Sequence, residues 1–383
     1  MQKLLLLYFG TIFLMYLSQV TNPVRIQLQG YQRGRYHFML GKSDIFMGIV
    51  IFWLSAFSFL RTSYNDTYTY ISTFRTAETV AEGLANGTFT DWTGNPWSMF
   101  YRSLLHDLTD NYHIYFFFPA AMSSFAVVKL FKRYSLNPAF SLLIFFSVGT
   151  YIMYVAALKQ CLAMFFLLMA LPYAIDRKYL RFYLLVLVAI MFHTHAFMFA
   201  IVPLLLEKPW GKVTWGLLGA TIFAMVTYDV TLGAFMEYAQ SIGALVAEIE
   251  VFDDHQINIL RVLVYWIPAL LAFVFRRRLF TRSTRIENLF ANMSIVSAFI
   301  LTIGLVQGAN LYARMAGYFE IATAITLPWM IQKLFTKRSV QLVTALAGIL
   351  YFGYFIYEFG IAKDFGANYS AISLWQFIKS LFS

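Results

Sequence analysis

A single cysteine, Cys161, among 383 residues excludes two architectures at once. No intramolecular disulfide can form and no cysteine-rich metal centre can be assembled, so Cys161 among apolar neighbours is expected to be an inert packing residue. Charge is scarce too, at 13% of residues, while hydrophobic residues make up 60%. A soluble single-core domain of this length cannot hide that much apolar surface, and the composition implies a polytopic membrane protein. Further absences narrow the chemistry. No Gly-rich phosphate loop, no paired acidic metal motif, no sequence repeat and no low-complexity linker is visible. The pair His193 and His195 is a weak metal site, because two residues apart on a helix they point in different directions and no other ligands complete a set. Neither a metal nor a cofactor is expected.

What is present is a series of apolar stretches of about 16 to 20 residues, long enough to cross a hydrocarbon core as helices when some tilt. The expected fold is all-α, with about 12 transmembrane helices near 4–20, 44–60, 112–130, 138–158, 160–175, 179–193, 196–210, 213–228, 259–275, 288–306, 313–332 and 339–357. The first resembles a signal peptide, but it has no basic leader beyond Lys3 and no small-residue cleavage site, so it is read as a span. The whole of 1–383 is read as a single membrane domain.

Charge orients these spans. With an outer N-terminus, inner segments collect Arg25, Arg33, Arg35, Lys42, Lys129, Lys132, Arg133, Arg177, Lys178, Arg181, Lys208, Lys212, Arg276, Arg277, Arg278, Arg282, Arg285, Lys333, Lys337 and Arg338. Acidic residues sort into two long outer loops, about 61–111 and 229–258. The parity holds only if the run Phe182–Leu206 is a broken hairpin that turns at Phe192-His193-Thr194-His195-Ala196 near the outer face. A histidine pair at membrane depth is costly unless something polar uses it. The net charge of +10 is then a topology signal and an attraction to anionic lipid, with no nucleic-acid partner implied. The predicted location is the bacterial inner membrane, with the chemistry facing the periplasm or exterior. The stretch Tyr369–Ser383 is predicted to be an amphipathic helix on the outer interface.

Several polar residues break the pattern. Arg61, Arg75, Arg102, Lys159, Arg261, Arg314 and Lys363 fall on or near the outer side, against the positive-inside rule. Snorkelling to headgroups would explain any one of them. Together they suggest a site. Arg suits a diphosphate because its planar fork donates two hydrogen bonds, while Lys acts as a point charge. His193, His195 or Asp66 could take a proton from an attacking hydroxyl. Arg314 and Tyr318 share a helix face at i,i+4 spacing. The first outer loop is rich in Tyr, Trp, Asn and Asp, which suit a sugar and equally suit an interfacial belt.

An Arg61…Asp66…Tyr70 element after the second span, Lys159-Gln160 before a middle helix, a Phe192-His193-Thr194-His195-Ala196 break and a late Arg314…Tyr318-Phe319 followed by Pro328 together resemble the EpsG family, usually described among Wzy-type polysaccharide polymerases. Lys159 stands where that family typically has Arg. Thr194 and a second histidine stand where a small residue commonly follows the family's His, and His193, after Met191-Phe192, is the preferred match. The resemblance implies a GT-C-like membrane glycosyltransferase that joins polyprenyl-diphosphate-linked oligosaccharides at the outer leaflet, in exopolysaccharide, capsule or O-antigen synthesis. It implies Arg314, Lys159, Gln160, Arg61, Arg102, Tyr70 and Tyr318 as substrate or diphosphate contacts, with His193, His195 or Asp66 as base. The expected partners are that lipid-linked oligosaccharide, the bilayer and a chain-length-regulating co-polymerase.

Three other activities compete. A membrane glycosyltransferase adding a single sugar from a polyprenyl-phosphate donor uses nearly the same chemistry. A flippase or secondary transporter would more often show repeats and paired helix breaks. An O-acyltransferase would draw its donor from the cytoplasm, away from outward histidines.

Overall fold

The computed structural model describes residues 1–21, 44–90, 95–228, 230 and 256–382. Helix makes up 82% of the structure, which is all-α apart from one short strand pair. In chain order the elements are α1 (Gln2–Thr21), α2 (Ile45–Phe59), β1 (Arg61–Ser63), α3 (Thr67–Arg75), α4 (Val80–Ala85), α5 (Pro96–Leu108), α6 (Tyr112–Tyr134), α7 (Pro138–Ser147), α8 (Thr150–Ala156), α9 (Leu158–Ile175) and α10 (Tyr179–Phe192). A 3-10 helix (Thr194–Leu206) follows, then α11 (Lys212–Val226), α12 (Ile259–Val274), α13 (Arg276–Phe280), α14 (Arg285–Ile303), α15 (Ala309–Leu334), α16 (Lys337–Phe355), a π-helical turn (Ile356–Ala362), α17 (Phe365–Asn368), β2 (Ser370–Ala371) and α18 (Leu374–Ser380). The inner loop with Arg25, Arg33, Arg35 and Lys42 and most of the predicted second outer loop lie outside the described residues.

Every predicted apolar stretch meets a helical element, but fewer are long enough to cross alone. Among the described residues five helices have the length and composition to span a membrane, and six if α7 and α8, bent by 61° at their break, count as one span. α2, α10, the 3-10 helix, α11 and α12 are shorter and apolar. Exposed apolar residues run in helical stripes along the outside, such as Leu6, Phe9, Phe13, Tyr16 and Val20 on α1, and Leu263, Ile267, Leu270 and Val274 on α12. A soluble monomer does not leave such stripes open to water, whereas lipid covers them without cost. The chain is a membrane protein.

α14 and α15 form the centre. Ser294 on α14 donates to Thr326 on α15 at 3.0 Å, and α15 is buried along nearly its whole length from Ala316 to Ile331. The broken hairpin is present: Phe182 stacks on Phe199 and the Tyr183 hydroxyl reaches the Ala200 carbonyl at 3.4 Å, so the chain returns beside itself around His193. Its second limb is 3-10 rather than α-helical. That limb runs between two ends of the molecule. Asn292 on α14 donates to the carbonyls of Leu205 (2.8 Å) and Glu207 (2.7 Å), near the arginine-rich segment that precedes α14, while Thr194 at the other end is held by Asn95 of the first long loop.

The C-terminal stretch departs from the sequence reading. Only Leu374–Ser380 is helical; before it, β2 pairs antiparallel with β1, with Arg61 opposite Ala371. The Ile372 amide donates to Leu60 O at 3.0 Å and the Tyr369 hydroxyl to Phe57 O at 2.5 Å, so the segment is fastened to the end of α2. A backbone needing partners found them in a distant strand, a pairing that local amphipathicity cannot report.

Candidate active site

A cavity of about 280 Å³ opens at the end of the bundle where β1, the α7–α8 break, the start of α15 and the π-helical turn meet. Its walls include Tyr64, Asn65, Asp66, Gln160, Arg261, Asn310, Arg314, Glu358 and Lys363.

Asp66 enters it because of how the chain leaves α2. Arg61, 1% exposed, donates to Ser58 O at 2.7 Å and Thr67 Oγ1 at 3.0 Å, and its guanidinium lies 4.1 Å from the Phe116 ring centroid. This buried cation holds the turn between β1 and α3. Asn65 adopts φ 47, the left-handed region that Asn tolerates, and Asp66 takes the N-cap position of α3. An N-cap carboxylate normally accepts a backbone N–H. Asp66 makes no such bond, and its Oδ2 instead stands 3.9 Å from Arg314 Nη2. Tyr70, one turn further on, is enclosed, and burial with help from the Asp66 charge pushes its phenol up to about 12, so it stays protonated.

Arg314 sits in the second turn of α15, whose start is set by Gly308 at φ +71. Its carbonyl accepts from Gln160 Nε2 at 2.8 Å, which joins α9 to α15 at the cavity wall. Further in, Arg261 on α12 pairs with the fully buried Glu320 at 3.0 Å, and Thr150 lies 3.5 Å from the same carboxylate. Lys363 pairs with Glu358 across the π-helical turn at 2.7 Å. Glu320 and Glu358 escaped the sequence reading, which sorted acidic residues by loop. The available signal was a carboxylate inside or at the edge of an apolar stretch, costly unless paired or used.

The histidines stand apart from the cavity walls. His193 is 8% exposed and its Nδ1 lies 2.5 Å from the Tyr318 hydroxyl, one helical turn beyond Arg314. His195 is beside it, with ring centroids 5.1 Å apart. Asn95, at φ 59, accepts both the Thr194 amide at 2.7 Å and the Thr194 hydroxyl at 3.0 Å, so the first long loop clasps the hairpin break. Lys159 lies in the first turn of α9, next to Gln160. Arg102 is on α5 and, like Arg61, Lys159, Tyr70 and Tyr318, does not line the cavity. Of the residues singled out in the sequence, the cavity brings together Asp66, Gln160 and Arg314, and adds the misplaced cations Arg261 and Lys363.

The class is thus a helical membrane protein with a paired-ion cavity at one end of its bundle. The model of the EpsG family matches residues 44–372, and the chain belongs to that family, a family of Wzy-type polymerases. No curated protein and no solved structure matches the chain.

Proposed function

We propose that this protein joins polyprenyl-diphosphate-linked oligosaccharide repeat units at the outer leaflet of the bacterial inner membrane. In this reading the apolar stretches make twelve crossings in a GT-C-like arrangement, and the cavity faces the periplasm or exterior. The observation that supports it most is Arg314 opposite Asp66 in a cavity walled by Tyr64, Asn65 and Gln160.

The reaction needs positive charge where the leaving diphosphate develops negative charge, and a base for the acceptor hydroxyl. The bond between the donor's anomeric carbon and the diphosphate oxygen breaks, and its electron pair leaves on the diphosphate beside Arg314. The acceptor oxygen bonds to that carbon, and its proton passes to Asp66. A diphosphate that takes the Arg314 guanidinium also frees the Asp66 carboxylate from its present counter-ion. His193 is the alternative base, but its ring is enclosed and engaged by Tyr318. A chain-length-regulating co-polymerase remains the expected protein partner.

The test is complementation of a strain lacking this protein, reading lipid-linked and surface glycans by gel and mass spectrometry. Wild type restores a ladder, whereas the null, Arg314→Ala and Asp66→Asn accumulate one complete repeat unit. Accumulation of an incomplete unit assigns single-sugar transfer instead, and an intact ladder lacking acyl groups assigns O-acyl transfer.

A further inference from the structure

Two short helices at the cavity end of the bundle each leave one apolar face open. α5 bridges two apolar helices: Asn95 at its N-cap holds Thr194 just past α10, and its far end leads through Asn111 into α6. Its 13 residues reach about 20 Å, so it lies across the end of the bundle. Its inner face is packed, with Leu105 buried and the Tyr101 hydroxyl donating to Tyr115 O at 2.7 Å. Its outer face shows Trp97, Phe100, Leu104 and Leu108, whose spacing of three and four residues makes one unbroken stripe. Arg102 and His106 fall on the opposite side by the same spacing, and Asp107 at the stripe's edge accepts the Val80 amide at 2.9 Å. α18 comes from the other end of the chain and meets α5 there: Phe377 packs on Phe59 at the end of α2, with ring centroids 5.0 Å apart, and Asn111 Nδ2 donates to Ser380 Oγ at 2.8 Å. It exposes Leu374, Trp375, Ile378 and Leu381, and Lys379 Nζ lies 5.3 Å from the Trp375 ring centroid.

Large apolar side chains gathered on one face of a helix mark a surface that something other than water covers. Here the occupant follows from continuity. The Trp97 ring stands edge-on to Phe192, 5.8 Å away at the end of α10, and α10 below it exposes Leu180, Tyr183, Leu184 and Leu187 in a lipid-facing stripe. The α5 stripe therefore continues a surface that lipid already covers. The α18 stripe comes from the opposite end of the chain yet meets α5 at Asn111, and a lipid plane covers both where a single protein partner would have to reach around the end of the bundle. Trp97, Trp375 and Lys379 suit the headgroup boundary, where an indole or an ammonium keeps its polar part wet. We infer that α5 and α18 form a collar lying in the interface of the leaflet at the cavity end, the outer one in the reading above, with their stripes about 5–10 Å into the headgroup and acyl boundary. The collar sets the depth of the cavity. β2, just before α18, pairs with β1, and the turn after β1 carries Tyr64, Asn65 and Asp66 into the cavity wall, so a group held there sits at headgroup level. Nothing in this placement depends on the reaction proposed above.

The test uses the full chain on a Cys161→Ser background in nanodiscs of phosphatidylethanolamine and phosphatidylglycerol, with a nitroxide on one introduced cysteine at a time. Power-saturation electron paramagnetic resonance compares collision with oxygen, which enters lipid, and with a nickel chelate, which stays in water. Phe100→Cys, Leu104→Cys and Trp375→Cys should favour oxygen, whereas Ala85→Cys, exposed between Glu82 and Asn86, should favour the chelate. Leu108→Cys and Leu381→Cys keep both stripes testable if a first-choice variant fails to fold. Asn310→Cys, an exposed residue of the cavity wall, should match the depth of a phospholipid labelled on its headgroup. Chelate-favoured stripes overturn the collar, because water then covers them. Stripes shielded from both reagents overturn it too, because a second copy of the chain is then the cover. An Asn310 label at the depth of a mid-acyl nitroxide lipid overturns the depth assignment. In each of these cases the glycan ladder of wild-type cells is unchanged, so the polymerase reading fails or stands separately.

Discussion

At Arg314 the difference between a planar fork and a point charge becomes measurable. Lys159 does not line the cavity and Arg314 does, so in the proposed reading bidentate diphosphate binding falls to Arg314. Arg314→Lys preserves the charge and removes the fork. The expected result is a glycan ladder reduced by about tenfold in yield, with Arg314→Ala reduced further, read by gel against equal amounts of membrane-inserted protein. A wild-type ladder from Arg314→Lys would mean that charge alone is used there. Glu320 tests a different property. It is fully buried and holds Arg261, and removing one partner of a buried ion pair costs about 3–5 kcal/mol because the other charge is left uncompensated. Glu320→Gln should therefore lower the unfolding temperature of the detergent-purified protein clearly. The double variant Glu320→Gln with Arg261→Met should recover part of that loss.

At the scale of elements, the cavity depends on breaks more than on helices. Gly149 joins α7 to α8 at φ +87, and a Cβ there would come within 2.8 Å of the Phe359 ring from the π-helical turn. Left-handed backbone costs an L-residue about 1–2 kcal/mol, and overpacking typically adds about 1–3 kcal/mol. Gly149→Ala should lower the unfolding temperature and shorten the glycan ladder, since Gly149 and Phe359 both line the cavity. Gly353→Ala, where nothing lies within 4 Å, is the control and should leave both unchanged. Some of these breaks were legible in the sequence and others were not. The turn at His193 showed itself because two histidines interrupt an apolar run whose charge parity fails without it. The 3-10 winding of Thr194–Leu206 left no trace: when nearly every position is apolar, a period of 3.0 cannot be told from 3.6. Arg314 was legible as a cation against the positive-inside rule, Asp66 as a possible base in the first outer loop, and Gln160 through the family resemblance. Arg61 carried the same signal as Arg314 yet serves the turn that presents Asp66, because burial and partners, not residue type, separate a scaffold cation from one on a cavity wall.

For the molecule as a whole, the topology turns on the hairpin limb. Thirteen residues of 3-10 helix extend about 26 Å at roughly 2.0 Å per residue, where an α-helix of the same count reaches only about 20 Å. The extended winding thus brings a short segment close to the roughly 30 Å hydrocarbon thickness. Its contacts agree with a full crossing, since Thr194 is held by the long loop at one end and Leu205 and Glu207 by α14 at the other. Because the one native cysteine is buried, Cys161→Ser gives a background for single-cysteine labelling in intact cells with a membrane-impermeant maleimide. Tyr68, 82% exposed on α3, should label as Tyr68→Cys without permeabilisation. Arg338→Cys, at the start of α16, and Lys208→Cys, just past the 3-10 helix, should label only after permeabilisation. If Lys208→Cys instead labels from outside while Arg338→Cys does not, the hairpin limb turns back without crossing and the parity that places the later helices must be redrawn. If Tyr68→Cys is the protected position, the Asp66–Arg314 cavity faces the cytoplasm, and an outer-leaflet transfer from a lipid-linked donor has no site here.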